Sequence, residues 1–375
     1  MLINDMRFGY TTGSCATAAA KAAAMGLFIG HIPDEVEIDT PAGVKLHLKI
    51  HEKQLSSESA TCAVQKDAGD DPDVTNGCFV HARVERMVTH AIEIDGGDGV
   101  GRVTKPGLQI PAGQAAINPV PRRMIEEAVR GIIGKNAGAK VVISVPAGRA
   151  LGERTFNPKL GIVGGISIIG TTGIVRPMSE DAFQTSLLCG LDIARGSGYD
   201  MVALVPGSLG ERSLLGLANV AKEQVVQISN FVGFMLKATC ERGFKKVIVA
   251  GHPGKLAKLL RGDFHTHSAV SKPANDILIE TVSQYIRTAH LPDEIIGKLK
   301  DSPTVEGIVE LLKDLGFLPV MNYVAEEIEV KVRDFLRGKA PIIPEMVGII
   351  LFDMKGAVIG ISDNAQTWLN TTKTK

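Results

Sequence analysis

At 375 residues, with 45% hydrophobic and 22% charged side chains, the chain has the make-up of an ordinary globular protein and is longer than one typical domain, so two domains are expected. Its 41 basic residues balance 41 acidic ones, which argues against a dedicated nucleic-acid binder. Aromatics at 5%, with Trp368 the one tryptophan, leave little to stack single strands on.

The first distinctive stretch is residues 7–27, RFGYTTGSCATAAAKAAAMGL. Alanine is the best helix former, and Ser or Thr before an alanine run is N-cap chemistry, so a helix is expected from Ser14 or Cys15 to about Gly26. Its small side chains let another element pack nearly against its backbone. Its entrance, Thr11-Thr12-Gly13-Ser14, offers hydroxyls, N–H groups and the positive end of the dipole, which suit an anion. The same residues also suit a capped helix packed in the core.

Residues 35–39 and 44–50 alternate apolar and polar around Pro41-Ala42-Gly43, the pattern of paired half-buried strands. Residues 59–65 and 79–94 continue as strands. Residues 121–135 carry Met124, Ile125, Val129, Ile132 and Ile133 at helical spacing. Residues 140–145 and 162–169 read as strands and 181–195 as a helix. Strands adjoining strands with a few helices make 1–195 an α+β domain, rich in glycine loops. From 196 the rhythm changes. Apolar strands at 201–205, 225–229 and 246–250 alternate with helical patterns at 231–242, 275–289, 305–315 and 324–337. Strands at 347–352 and 357–361 then form a hairpin over Lys355-Gly356. Residues 196–375 are therefore expected to be an α/β domain with a mostly parallel sheet.

Five scattered cysteines, Cys15, Cys62, Cys78, Cys189 and Cys240, form no C-x-x-C pair and fit a reducing, cytoplasmic setting. The start MLINDMRFG lacks the regions of a signal peptide, and the apolar stretch 160–175 is too short and glycine-rich for a membrane span. Neither export nor a membrane partner is expected.

Several loops could carry chemistry. In DAGDDPDVTNG (67–77), Asp70, Asp71 and Asp73 could grip Mg²⁺ or Ca²⁺, or could satisfy N–H groups of a turn. In GGDGVGRVTKPGL (96–108), glycines beside Arg102 and Lys105 suit an anionic ligand, or a hairpin with two solvated charges. Pro121 can begin a helix with Arg122 and Arg123 in its first turn. Cations there cost about 0.3–1 kcal/mol each, which hints at a negative partner, ligand or protein. In residues 161–179 the turn Gly170-Thr171-Thr172-Gly173 reads as a hairpin, with a pocket wall as the alternative, and Arg176 follows it. Pro206-Gly207-Ser208 and Gly251-His252-Pro253-Gly254 each follow a strand of the second domain. They should open on one sheet edge, where α/β proteins bind ligands. Leu256 stands where a Walker A loop needs Ser or Thr, so a nucleoside or sulfonium cofactor fits better than a triphosphate. His265 and His267, two apart, would share one face of a strand, but no third metal ligand is evident.

The stretches RFGYTTGSCATAAAKAA, DAGDDPDVTNG, GGDGVGRVTKPGL, INPVPRRMI, GISIIGTTGIVRPMS, VPGSLGER and GHPGKLAKL occur in this order across residues 7–270. Together they resemble the cobalt-precorrin-5B C(1)-methyltransferase family, enzymes of the anaerobic route to cobalamin. The resemblance weakens towards the C-terminus. It implies S-adenosyl-L-methionine as methyl donor, an anionic cobalt tetrapyrrole as substrate and cobalt-precorrin-6A as product. The cobalt belongs to the substrate, so no protein-bound metal is implied. A homo-oligomer and transient contact with neighbouring pathway enzymes fit this role, and a non-catalytic carrier of corrinoid intermediates is the alternative. The resemblance carries over no catalytic residue, so the site rests on physical expectation. Thr11, Thr12, Gly13, Ser14, Arg102, Lys105, Arg122, Arg123 and Arg176, with Arg7 beside them, are expected at the substrate's carboxylates. Gly207, Ser208, Gly251, His252 and Gly254 are expected at the donor. Asp98 or His265 is expected to handle protons. Methyl transfer from a sulfonium is an in-line displacement, so orientation can supply much of the roughly 7–11 kcal/mol available from proximity.

Overall fold

The computed structural model describes residues 6–290, 294–340 and 342–373, and the chain divides into two compact units between Glu180 and Asp181. In the first, β1 (Gly9–Tyr10) leads into α1 (Thr12–Ile29), β2 (Glu35–Asp39), β3 (Lys45–Lys49), β4 (His51–Leu55), β5 (Ser59–Gln65), β6 (Phe79–Met87) and β7 (Ile92–Gly96). Then follow β8 (Gly99–Val100), β9 (Arg102–Val103), α2 (Pro119–Ile133), β10 (Gly138–Ser144), α3 (Gly148–Glu153), β11 (Ile162–Val163), β12 (Gly165–Ile166) and β13 (Ile174–Val175).

The alanine run makes α1 a core helix. Between Thr12 and Leu27 only Lys21 and Met25 are not buried. α1 packs against α2, β5 and β6, meeting Ala60, Cys62 and Val64 of β5 and Val80, Ala82 and Val84 of β6, all buried. A helix buried all round can have sheet and helix so close only if its side chains are small. It is longer at both ends than the alanines alone predict. Thr11, in extended backbone, accepts from the Ser14 N–H at 3.2 Å, and Gly30 closes the far end at φ 92°. Gly26 does not end the helix because it is a contact point: a Cβ there would collide with Ile32.

The sheet of this unit runs β4-β5-β6-β10-β7, antiparallel except for the parallel pair β7 and β10. β2 and β3 form the expected antiparallel pair. The hairpin expected at 161–179 and the one offered as an alternative at 96–108 do not form. β8 pairs in parallel with β12, β9 pairs with β11, and β13 crosses to β1. Glycine explains the difference. A Cβ on Gly99, Gly148, Gly152 or Gly165 would collide with backbone, so these strands meet their partners main chain to main chain.

The second unit begins with α4 (Glu180–Gly196), β14 (Met201–Val205), α5 (Ser208–Leu217), β15 (Val225–Gln227), α6 (Val232–Glu241), β16 (Lys246–Gly251) and α7 (Pro253–Leu256). It continues with α8 (Asn275–Thr288), α9 (Glu294–Lys300), α10 (Val305–Asp314), α11 (Val320–Arg337), β17 (Met346–Phe352), β18 (Val358–Ile361) and α12 (Asp363–Lys373). Its sheet runs β15-β14-β16-β17-β18, parallel but for β18. β14 is buried along its whole length, as a strand covered on both faces must be. Val202 and Leu204 join the core of α4, α6, α8, α10 and α11, while Met201, Ala203 and Val205 join Leu214 of α5 and Trp368 and Leu369 of α12. The division falls at the start of α4 rather than near residue 195, because Leu187, Leu191 and Ala194 sit in the second unit's core. The fold is thus mixed α/β with two five-stranded sheets, one mixed and one mostly parallel.

Replacing Ala19 with leucine should overpack the all-round burial of α1 and cost about 1–3 kcal/mol. The urea midpoint of the first unit should fall accordingly. Met25→Leu, at a partly exposed site of the same helix, should cost under about 1.5 kcal/mol. Equal midpoints for Ala19→Leu and wild type would refute the close approach of sheet and helix.

Candidate functional site

The entrance of α1 is closed by the protein's own residues 167–173. Gly13 N–H donates to the Ile169 carbonyl at 3.0 Å, and Thr11 N–H to the Gly173 carbonyl at 3.1 Å. Thr12 Oγ1 accepts from the Ile169 N–H at 2.9 Å, and Ser14 Oγ donates to the Gly173 carbonyl at 2.7 Å. Gly170 and Gly173 let this loop press on the helix, since a Cβ on either would run into Thr11 or Thr40. Thr11, Thr12, Gly13 and Ser14 are all buried. The open anion site expected here is therefore corrected to a sealed one: loop carbonyls take the donors and meet the positive end of the dipole.

The acidic loop after β5 is also claimed from within. Asp67 pairs with the Arg7 guanidinium and accepts from the Gly69 N–H at 2.8 Å. Asp70 accepts from the Arg7 N–H at 2.7 Å, and Asp71 from the Met178 N–H at 3.0 Å. Two adjacent carboxylates thus hold two separate segments, one just before β1 and one just after β13. Asp73 pairs with Lys66 at 2.6 Å and accepts from the N–H and Oγ1 of Thr75 at 2.8 and 2.7 Å. The cation reading gives way to this arrangement. Among the described residues no group of three or more His, Cys, Asp or Glu is placed to hold a metal. Arg7 holds the Asp67 carboxyl below its ordinary range. Burial works against ionised Asp73, but Lys66 and Thr75 outweigh it and lower its pKa.

The expected cations fall into separate groups. Arg102 and Arg122 meet at the end of β7. Arg102 pairs with Asp95 at 3.0 Å and donates to the Gly96 carbonyl, and Arg122 donates to the Ile94 carbonyl at 2.6 Å. Burial opposes ionised Asp95, and Arg102 overcomes this to lower its pKa. Lys105 lays its aliphatic stem over Gly161. Arg123 is exposed and comes only within 3.9 Å of Glu127. Arg176 is exposed, with no ion pair among the described residues. Asp98 accepts from Arg149 Nε at 3.0 Å, both side chains being largely exposed.

In the second unit the chain leaves β14 for β15 on one side and returns to β16 on the other. The carboxyl ends of β14 and β16 therefore form a topological switch point. Both expected glycine loops open there. A Cβ on Gly251 would meet Pro206 at 3.0 Å, and Gly207 is the N-cap of α5 with no side-chain cap. His252 Nδ1 accepts from the Gly254 N–H at 3.0 Å, which puts its proton on Nε2, 2.8 Å from Glu306. Burial and neighbouring Lys258 push the Lys255 ammonium below its ordinary pKa. Lys258 is buried and donates to the carbonyls of Thr266 and Ser271 at 2.9 and 3.2 Å. This pins the loop that carries His265. The His265 ring stacks on Phe231 with centroids 4.9 Å apart, and Thr266 N–H donates to the Asn230 carbonyl just past β15. His265 thus sits in a loop, not on a strand, beside the same edge. Asp98 belongs to the first unit and His265 to the second. Sequence reasoning missed Glu306 and Lys258, and it quoted Lys255 within the glycine turn without making it a site residue. The lysines follow the glycine turn by ordinary helical spacing, and nothing in the chain ties Glu306 to His252. A groove of about 670 Å³ beside α8 and α9, lined by Asp276, Glu280, Arg287 and Lys300 among others, contains none of the expected residues.

The sequence matches the CbiD family over residues 3–177 and the CbiD C-terminal domain over residues 265–363. It is 41% identical over 370 residues to the cobalt-precorrin-5B C(1)-methyltransferase of Alkaliphilus metalliredigens (strain QYMF), covering 99% of this chain and 96% of that one. It is 42% identical over 355 residues to the protein of that name from Salmonella typhimurium (strain LT2), covering 95% and 92%. The crystal structure of cobalamin biosynthesis protein (cbiD) from Archaeoglobus fulgidus is 28% identical, covers 65% of this chain and 76% of that one, and has a TM-score of 0.37.

Asp73→Asn should leave the Lys66 ammonium, 2% exposed, without its counter-charge. The expected loss is about 3 kcal/mol, the low end for a broken buried pair because Asp73 is partly exposed. The folded Asp73 pKa lies below the unfolded value near 3.9. Its contribution is therefore complete above that value and lost as pH falls through the folded one. Urea midpoints should differ most near neutral pH, and the gap between wild type and variant should narrow below about pH 4. A gap independent of pH would refute the assignment.

Proposed function

Because the chain belongs to the CbiD family, we infer that it methylates carbon C1 of cobalt-precorrin-5B. The observation that carries this is identity of 41% across 99% of the chain with a protein of that name. The protein is a C-methyltransferase of cobalamin biosynthesis, and its substrate is a small cobalt tetrapyrrole. The donor in this reading is S-adenosyl-L-methionine and the product is cobalt-precorrin-6A. The residues suit such a donor. Gly207 at the switch point leaves open space beside its Cα, α5 begins there without a side-chain cap, and no triphosphate loop competes.

When bound, the donor supplies an electrophilic methyl: the C1–methyl bond forms as the methyl–sulfur bond breaks, and the electron pair stays on sulfur. This chain's own task is alignment and charge. In our reading the second unit, through Gly207, Ser208, Gly251 and Gly254, holds the donor. His252 acts as a positioning residue, since its ring is engaged by Gly254 and Glu306. The first unit takes the macrocycle. Arg123 and Arg176 offer guanidinium groups to its carboxylates, and Arg102 and Arg122 at the end of β7 and Lys105 over Gly161 are the further cations of this unit in the reading. Thr11–Ser14 contribute by fixing the 167–173 loop. Asp98, steadied by Arg149, and His265, stacked on Phe231, are the residues proposed for proton handling. Five free cysteines suit a cytoplasmic setting. No described helix is long and apolar enough to cross a membrane.

Incubation with methyl-labelled S-adenosylmethionine and cobalt-precorrin-5B should place label in the corrinoid and release S-adenosylhomocysteine in equal amount. Tetrapyrrole binding with no transferred label, beside a working control, would overturn the reading in favour of a carrier. For the division of labour, Gly254→Val brings a side chain against His252. It should weaken donor binding about tenfold, or ~1.4 kcal/mol, while leaving macrocycle affinity alone. Arg123→Ala should do the reverse. Calorimetry with each ligand checks both, and equal loss of both affinities in either variant would contradict the assignment.

A further inference from the structure

We propose that Phe8, Arg176 and Met178 form the seat on which the tetrapyrrole's flat face and one of its carboxylates rest. The proposal rests on the methyltransferase reading and adds the surface that meets the ring. Phe8 is 61% exposed and Met178 64% exposed. Single exposed apolar residues are common, and they carry no meaning alone. Here their backbones are built into one place.

β1 and β13 pair antiparallel as Gly9 with Val175 and Tyr10 with Ile174. Continued one residue outwards, that register sets Phe8 opposite Arg176, and residues directly opposite share a face. Both strand ends are tied to the same acidic loop. The Arg7 N–H donates to Asp70, the Asp70 N–H donates back to the Arg7 carbonyl, and the Met178 N–H donates to Asp71. Gly69 makes the approach possible, because a Cβ there would collide with the Arg7 carbonyl.

Met178 gives the independent observation. Its φ is 55°, a left-handed conformation that disfavours residues with a Cβ. The Asp71 carboxylate accepts Met178's own N–H at 3.0 Å. A strained backbone, fixed by a dedicated hydrogen bond, presents a large apolar side chain to solvent. Strain of this kind gathers at ligand-holding segments. Charge completes the seat. Arg7 is neutralised by Asp67, whereas Arg176 has no ion pair among the described residues. An aromatic ring, a polarisable thioether and a guanidinium with no ion pair among the described residues suit a conjugated macrocycle rimmed with carboxylates.

The test uses the full-length protein with cobalt-precorrin-5B, followed by absorbance, and with S-adenosylhomocysteine, followed by calorimetry. Phe8→Ala and Met178→Gly should each weaken tetrapyrrole binding at least tenfold and raise its KM more than they lower kcat, with the S-adenosylhomocysteine affinity within twofold of wild type. Glycine accepts the left-handed backbone, so Met178→Gly keeps or raises the urea midpoint and loss of binding cannot be laid to unfolding. Arg176→Met should weaken binding and flatten its salt dependence. Folded variants that bind the tetrapyrrole as wild type does would overturn the seat while wild-type methylation stands. A wild-type protein that neither binds nor methylates the tetrapyrrole would overturn the methyltransferase reading, and the seat with it.

Discussion

The sealed entrance of α1 is the constraint on which the first unit depends. A helix buried almost all round brings its first N–H groups into the core, where an unmatched donor costs about 1–3 kcal/mol. Loop 167–173 meets the N–H groups of Thr11 and Gly13 with the carbonyls of Gly173 and Ile169, Thr11 Oγ1 takes the Ser14 N–H, and the Thr12 and Ser14 hydroxyls bond back to the loop at the Ile169 N–H and the Gly173 carbonyl. The residues on either side of that junction follow from it. Tyr10, one residue before the cap, pairs with Ile174, one residue after the loop. The beginning and end of the unit are thereby stitched together, although more than a hundred residues of chain lie between them.

The acidic loop finishes what that junction starts. Asp70 and Asp71 lie side by side, which would be costly if both faced water-poor space unpaired. Each instead accepts a backbone N–H from a different strand end. Asp67 and Asp73 take Arg7 and the buried Lys66. One loop therefore sets two of its carboxylates on cations and two on backbone N–H groups and so fixes two segments, while the nearby Arg176 guanidinium makes no ion pair among the described residues.

The sequence made the regular parts legible. Alanine content announced α1, alternation announced β2 and β3, and continuous apolar runs announced β14, β16 and β17 as strands covered on both faces. What escaped was pairing at a distance. Nothing local says that residues 174–175 seek residues 9–10 rather than the strand before their own turn, because the deciding contacts are backbone approaches at glycines such as Gly99 and Gly165. The same blindness turned a helix entrance into an anion site. Thr-Thr-Gly-Ser shows that donors and hydroxyls are available, but a remote loop decides whether they stay open. α12 escaped for another reason: its polar sequence gives little periodic signal, and it meets the sheet through Ala365, Trp368 and Leu369. In the second unit the glycine loops were legible as one edge, since parallel neighbouring strands must end on the same side.

That edge is itself asymmetric, which bears on what its residues can do. On the β16 side, His252 spans from Gly254 to Glu306, and Glu306 Oε1 takes the Met354 N–H at 3.4 Å, reaching the turn after β17. The imidazole has a donor against Nδ1 and a carboxylate against Nε2, so both its nitrogens are engaged before any ligand arrives. A residue in that state fixes the loop and does not attack or deprotonate a substrate. On the β14 side, Gly207 opens α5 without a side-chain cap, and Gly251 is kept clear so that Pro206 can lie against it. Backbone donors and space therefore belong to β14, rigidity to β16. The proposed donor side draws on both, a fixed wall at β16 and a helix end without a side-chain cap at β14, because in-line transfer depends on orientation.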